Sequence, residues 1–351
     1  MFQPTNSAWI QGSPVVRLGI LARARGLDWL EILKSYDIDA NGIDDPNATV
    51  GMATALDLFS LVAEAIGDDA QILDLFYETP VGFTQGYDYI GLCAPTVRDG
   101  LKNWARVTLL RSNCAKTIYS ETPEAAKLEW TIPSLYRDYT QFSLAFLGWA
   151  IRRTEMLLDG AYENLTIHIF SPAPKSPSRV LDKYGSRVKF NQPDHGVIVP
   201  VGLLDRHPPG ADPVLLQIIE QHVQSILQDR STDTSPLNRI VEAMGEMLPT
   251  GDCSAEAVAR ELGMSRRSLQ RTLGDQGTSY RTLLAEVRRS MAEKYLVNTE
   301  RPMKEIAYLL GFSEISTFSR AVKGWYGVPP KSVRQKVHEL PSARLSLLRR
   351  H

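Results

Sequence analysis

"ELGMSRRSLQRTL" (residues 261–273) and "LLGFSEISTFSRAV" (309–322) are two versions of one plan. Each sets Gly, an apolar residue and Ser after an apolar run, and each places an Arg in the segment that follows. Gly263 suits the left-handed residue that ends a helix, Met264 can plug a core, and Ser265 suits the cap of a second helix. Ahead of the turn, "SAEAVAREL" (254–262) predicts a helix capped by Ser254, with Ala257, Val258 and Leu262 on its apolar face. Beyond the turn, Leu269 and Leu273 recur at i, i+4 and face inward. Arg266, Arg267, Ser268, Gln270 and Arg271 are left outside. Two short helices joined by a sharp Gly turn form a helix-turn-helix. Its second helix fits a major groove, where Arg pairs with guanine and Gln with adenine.

The second copy reads "MKEIAYLLGFSEISTFSRAV" (303–322). Ile306, Ala307 and Leu310 predict one inner face, Gly311-Phe312-Ser313 the turn, and Phe318 and Val322 the inner face of the next helix. Ile315, Ser316, Thr317, Ser319 and Arg320 remain outside. The intervening "YRTLLAEVRRSMAEKYL" (280–296) holds no Gly or Pro, and Leu284, Val287, Met291 and Tyr295 recur at helical spacing. A helix of about seventeen residues spans about 25 Å. That length can hold two recognition helices about one DNA turn, about 34 Å, apart on one face of a duplex.

Charge points the same way. Residues 251–351 carry 18 Lys and Arg against 10 Asp and Glu, while the preceding 250 residues carry 21 against 30. A net charge of −1 thus hides a basic end on an acidic body, which suits a polyanion partner for that end alone.

These residues carry a resemblance. From "VARELGMSRRSLQRTL" through the connector to "IAYLLGFSEISTFSRAVKGWYGVPPKSVR", ending at Arg334, the chain resembles the DNA-binding domain of the AraC/XylS family of bacterial transcription regulators. The resemblance implies base-reading positions at Arg267, Gln270 and Arg271 in the first helix, with Arg266 near phosphate. In the second helix it implies Ile315, Ser316, Thr317 and Arg320. Val322 stands where the family usually has Phe, and Ile315 where it often has a polar residue, so Ile315 suits an apolar contact to a thymine methyl. "GDDAQILDLFYET" and "APTVRDGLKNW" more loosely resemble the long effector-type domain of one branch of the family, which implies a sensing and oligomerising role.

The front of the chain is mixed. "VGMATALDLFSLVAEAIG" (50–67), "PTVRDGLKNWARVTLL" (95–110) and "QFSLAFLGWAIRRTEMLL" (141–158) predict helices, and residues 115–121 and 126–133 a β-hairpin. Runs 165–170, 187–191 and 196–201 predict short strands. The expected fold is an α+β domain over 1–228 and a polar, Pro-ended linker over 229–236. An all-α domain over 237–340 follows, with helix-turn-helix subdomains at about 254–274 and 303–325. "PVLLQIIEQHVQSILQ" (213–228) predicts a helix with Leu215, Ile218, Ile219, His222, Val223 and Ile226 on one broad face, suited to packing or to pairing with a twin.

Other chemistry finds little support. The chain has no Walker A loop, G-x-G-x-x-G, G-x-S-x-G or H-E-x-x-H motif. The six His and three Cys show no metal spacing, so neither a metal nor a cofactor is expected. Asp194-His195 is the nearest approach to a catalytic pair, and Trp104, Trp149, Tyr87, Tyr89 and Trp130 suit either core or an apolar pocket. No run of apolar residues is long enough for a membrane span, and no signal peptide is read, so the cytoplasm is expected. The leading expectation is a homodimeric, sequence-specific regulator of double-stranded DNA. Its expected partners are a small-molecule effector and RNA polymerase. A small-molecule enzyme with a DNA-binding tail and a nonspecific architectural binder are the rivals.

Overall fold

The computed structural model describes residues 8–45, 47–68, 70–132, 139–160, 162–230, 236–299 and 301–339. They fall into two compact units, one within residues 8–230 and one over 236–339.

The first unit opens with β1 (Trp9–Gln11), α1 (Ser13–Ala24), α2 (Trp29–Ser35) and β2 (Thr49–Gly51), the two strands pairing antiparallel. Helices α3 (Met52–Ile66), α4 (Gln71–Tyr77), α5 (Gly86–Leu92) and α6 (Val97–Arg106) follow. Then come β3 (Lys116–Glu121), β4 (Ala125–Thr131), α7 (Thr140–Leu157), β5 (Thr166–His168), α8 (Arg179–Tyr184), β6 (Val188–Lys189), β7 (His195–Pro200) and α9 (Pro213–Arg230). Five strands form one sheet in the order β3-β4-β7-β5-β6, antiparallel except for β5 and β6. Its inward residues Leu128, Ile167, Val197 and Val199 pack in one core with Leu147, Ala150 and Ile151 of α7.

Several expected boundaries move for local reasons. The helix read over 50–67 begins at Met52, because Thr49–Gly51 is taken up as a strand against Trp9–Gln11. It ends, as read, on Gly67 in the left-handed conformation (φ +63°). The helix read over 95–110 starts after Thr96, whose hydroxyl accepts from Asp99 N at 3.1 Å, and gives way to a 3₁₀ turn over Thr108–Leu110. The face of α9 is rotated from the expected one. Leu216, Ile219, Val223, Ile226 and Leu227 pack inward, whereas Ile218 is exposed. The residues 229–230 complete α9, Pro236 opens the next helix, and 231–235 lie outside the described residues.

The second unit is entirely helical: α10 (Pro236–Met247), α11 (Ala255–Glu261), α12 (Arg266–Asp275), α13 (Tyr280–Asn298), α14 (Met303–Leu309), α15 (Ile315–Tyr326) and α16 (Pro330–Glu339). Ser254, Ser265 and Ser279 cap α11, α12 and α13 by accepting from the backbone N–H three residues on. Each such cap contributes about 1 kcal/mol. Helix α13 is the expected connector, but its buried face is broader than read. Leu283 is buried and Leu284 only partly, alongside Val287, Met291, Ala292 and Leu296. The reason is that α10 and both helical pairs share one core around it.

Candidate nucleic-acid interface

Helices α11 and α12 are joined at Gly263, with φ +66°, and α14 and α15 at Gly311, with φ +67°. Both turns therefore need the backbone conformation that glycine adopts without a Cβ penalty. Leu269 and Leu273 of α12 and Phe318 and Val322 of α15 are fully buried, so both pairs of inward anchors lie where the spacing placed them. Phe312 adds an aromatic contact to Phe318, with ring centroids 5.8 Å apart.

The two copies differ by one residue. Helix α12 starts three residues after its glycine, on the capping Ser265, while α15 starts four after, on Glu314, whose side chain makes no cap. Matching the anchors Leu269 with Phe318 and Leu273 with Val322 puts Arg271 and Arg320 at equivalent positions. It also matches Gln270 with Ser319, Ser268 with Thr317, Arg267 with Ser316 and Arg266 with Ile315. Ser319, half-buried, is an outward-helix position that the resemblance passed over.

All eight expected contact residues lie exposed on their helices: Arg266, Arg267, Gln270 and Arg271 on α12, and Ile315, Ser316, Thr317 and Arg320 on α15. Their surroundings differ. Among the described residues, no hydrogen bond or ion pair engages the side chains of Arg267, Gln270 or Arg271. Arg266 is held by Glu256 of α11 at 2.5 Å. On α15, Ser316 donates to Glu314 at 2.9 Å and Arg320 to Thr317 at 3.4 Å. Ile315 is 47% exposed, beside an open groove of about 280 Å³ shared with Lys304, Tyr308 and Phe312.

The connector fixes the second turn directly. Arg288 of α13 donates through Nε to Leu310 O at 3.0 Å and through Nη2 to Gly311 O at 3.1 Å, and its guanidinium lies 4.7 Å from the centre of the Phe312 ring. Burial pushes its pKa below the ordinary value. From the other side, Tyr326 of α15 donates to Arg289 O at 3.0 Å. Sequence reading placed Arg288 on the connector without a role, since nothing in helical spacing shows which arginine turns inward to cap a neighbour.

The remaining tempting residues lie within the first unit, where Tyr87, Trp130 and Trp149 also line a small cavity. Trp104, Trp149, Tyr87 and Trp130 are buried and Tyr89 is half-buried. Asp194 pairs with Lys127 at 2.6 Å, and His195, the first residue of β7, stacks on Trp130 at 6.0 Å. Among the described residues, no cluster of His, Cys, Asp or Glu has metal-binding geometry and no helix is long and apolar enough to cross a membrane.

Two glycine-turned helical pairs on one connector, each presenting a polar second helix, define a DNA-binding transcription regulator of the helix-turn-helix class. A helix-turn-helix domain model matches residues 258–336, and the model of the arabinose-binding N-terminal domain of AraC transcription regulators matches residues 26–208. The chain belongs to the AraC family of transcription regulators, with a ligand-binding N-terminal domain and a DNA-binding C-terminal one; it is not an enzyme. It is 27% identical to the HTH-type transcriptional regulator VirS of Mycobacterium tuberculosis over 90% of this chain and 93% of that one. It is 35% identical to the ornithine utilization regulator of Pseudomonas aeruginosa over 47% of this chain, and that match spans about half (48%) of the regulator. Among solved structures, the transcriptional regulator CdpR of Pseudomonas aeruginosa matches with a TM-score of 0.39 and 19% identity, covering 87% of this chain and 96% of that one.

Proposed function

We propose that this regulator reads a specific operator with both recognition helices, α12 and α15, set in successive major-groove segments. Residues 237–340 make up the DNA-binding part and residues 1–228 the part that binds the effector and dimerises. The observation that carries the reading is the matched register of the two helices. The same buried anchor spacing turns Arg271 and Arg320 outward at equivalent positions. Arg267, Gln270 and Arg271 read base edges, and Arg266 holds phosphate once it exchanges Glu256 for DNA. Helix α15 contributes through Ile315 against a thymine methyl, through Ser316 and Thr317, and through Arg320.

Dimerisation uses the outward stripe of α9, where Val214 is 70% and Ile218 58% exposed one helical turn apart. The assembled regulator works in the cytoplasm and contacts RNA polymerase. A gel-shift titration at fixed salt tests the reading of specific DNA binding. Selected duplexes are expected to bind at least about a thousandfold more tightly than random DNA. Equal affinity for the two would instead mark a nonspecific architectural binder.

A further inference from the structure

The first unit contains a cavity of about 50 Å³ between α7, the β3–β4 hairpin and the segment 79–84. Its wall is aromatic, built from Phe76, Phe83, Tyr87, Trp130, Phe146 and Trp149. Three polar groups of the lining residues have no hydrogen-bond partner among the described residues: Thr79 Oγ1, Thr84 Oγ1 and Trp130 Nε1. Thr79 is 4% exposed and Trp130 6%. A buried polar group left unpaired costs about 1–3 kcal/mol, so native interiors nearly always pair them.

Loose packing does not account for these three orphans, because the groups around them are satisfied with care. Arg153 of α7 lies fully buried, donates through Nε to Asp88 Oδ1 at 2.6 Å and through Nη2 to Asp88 Oδ2 at 3.2 Å. It also holds Thr79 O at 3.0 Å and Pro80 O at 2.8 Å. Asp88 in turn accepts from Gly82 N at 2.9 Å, Thr84 N at 3.2 Å and Trp149 Nε1 at 2.9 Å. The segment that carries Thr79 is thus fixed by its backbone while its hydroxyl is left unused.

The charge of the wall narrows what fits. Arg111 and Lys116 line the cavity, and no Asp or Glu stands among its described lining residues. A cationic ligand finds no countercharge there. A polyol would set hydroxyls against rings that cannot bond them. An indole N–H only donates, and a threonine hydroxyl can donate, so the orphans call for acceptors. Aromatic walls favour a ring in edge or offset contact.

We propose that this cavity is the effector site and that it takes a small aromatic carboxylate, its ring among the aromatic side chains and its oxygens toward Thr79, Trp130 and the Arg111–Lys116 side. This rests on the reading that the N-terminal domain binds an effector. The cavity is well below the 300 Å³ of ordinary ligand pockets, so entry moves wall residues, with the half-buried Phe83 the readiest to shift.

The test is calorimetric titration of the full-length protein with phenylacetate, phenethylamine and L-arabinose. Phenylacetate is expected to bind and the other two not. Thr79→Val and Trp130→Phe are expected to weaken phenylacetate about tenfold or more, while Thr79→Val melts at the same temperature as the parent or higher, because an unpaired hydroxyl has been removed. Absence of phenylacetate binding, or equal binding by both variants, overturns the assignment. Binding of L-arabinose or phenethylamine in its place also overturns it and leaves the effector-binding reading standing. If none binds, native mass spectrometry of the purified protein separates the two: a retained small molecule of another class keeps that reading while this site assignment falls.

Discussion

Arg288 donates to Gly311 O at 3.1 Å, so the connector helix holds the turn of the second helix-turn-helix by its backbone. The same side chain takes Leu310 O, one of the carbonyls that a helix C-terminus leaves without an intrahelical partner. Arg288→Met keeps the apolar stem and removes both bonds. It is expected to cost about 1–3 kcal/mol in a urea titration. The cost should fall on the second subdomain, so amide exchange should quicken in α14 and α15 before α11 and α12.

The two turn glycines should differ in their tolerance. A Cβ on Gly263 meets nothing within 4 Å, so Gly263→Ala carries only the left-handed backbone penalty, about 1–2 kcal/mol. A Cβ on Gly311 would lie 2.9 Å from Leu248 O, a backbone atom. Gly311→Ala should therefore be the more destabilising of the two, and comparison of their melting temperatures checks this. Equal losses would place the second turn further from Leu248 than it lies here.

The Asp88–Arg153 pair gives the first unit a pH signature. Burial raises the carboxyl pKa, but hydrogen bonds and charge from Arg153 outweigh it and hold Asp88 below its ordinary value. A depressed pKa contributes stability that is present above the unfolded value, about 3.9, and is lost as pH falls through the folded one. Urea midpoints should drop below about pH 4 with a component that Asp88→Asn removes. At pH 7 that substitution strands a buried arginine and should cost about 3–5 kcal/mol.

Arg266 and Arg271 lie five residues apart on one helix and should fail differently. Arg266→Ala is expected to weaken all DNA alike and to lower the slope of log affinity against log salt by about 1. Arg271→Ala is expected to cost about 1–3 kcal/mol on the operator and to spare random DNA. Binding curves at several salt concentrations separate the two.

Much of the DNA-binding unit could be read from the sequence because its signals are local. Gly263 and Gly311, the Ser254 and Ser265 caps, and the Leu269–Leu273 and Phe318–Val322 spacings each act within a turn or two, and all lie where they were read. What depends on distant partners was not readable. The apolar face of α9 was misphased because Leu216 and Leu227 are chosen by the core they meet, not by hydrophobic spacing alone. Helices α4 and α5 are seven residues each, too short for a clear period. The Asp88–Arg153 pair joins residues 65 apart, and no spacing announces it. The extra residue in the second turn was present in the sequence, but it became visible only once Phe318 was fixed as the equivalent of Leu269.

The central claim is that α12 and α15 read DNA as equivalent helices in successive grooves, with α12 the stronger reader. Selection from randomised duplexes tests it directly, run with the parent, Arg271→Ala and Arg320→Ala. The account predicts that each variant relaxes preference at its own base position, the two positions about one helical turn apart, with the larger loss for Arg271→Ala. Unchanged preferences in Arg271→Ala, or both variants relaxing the same position, would contradict it.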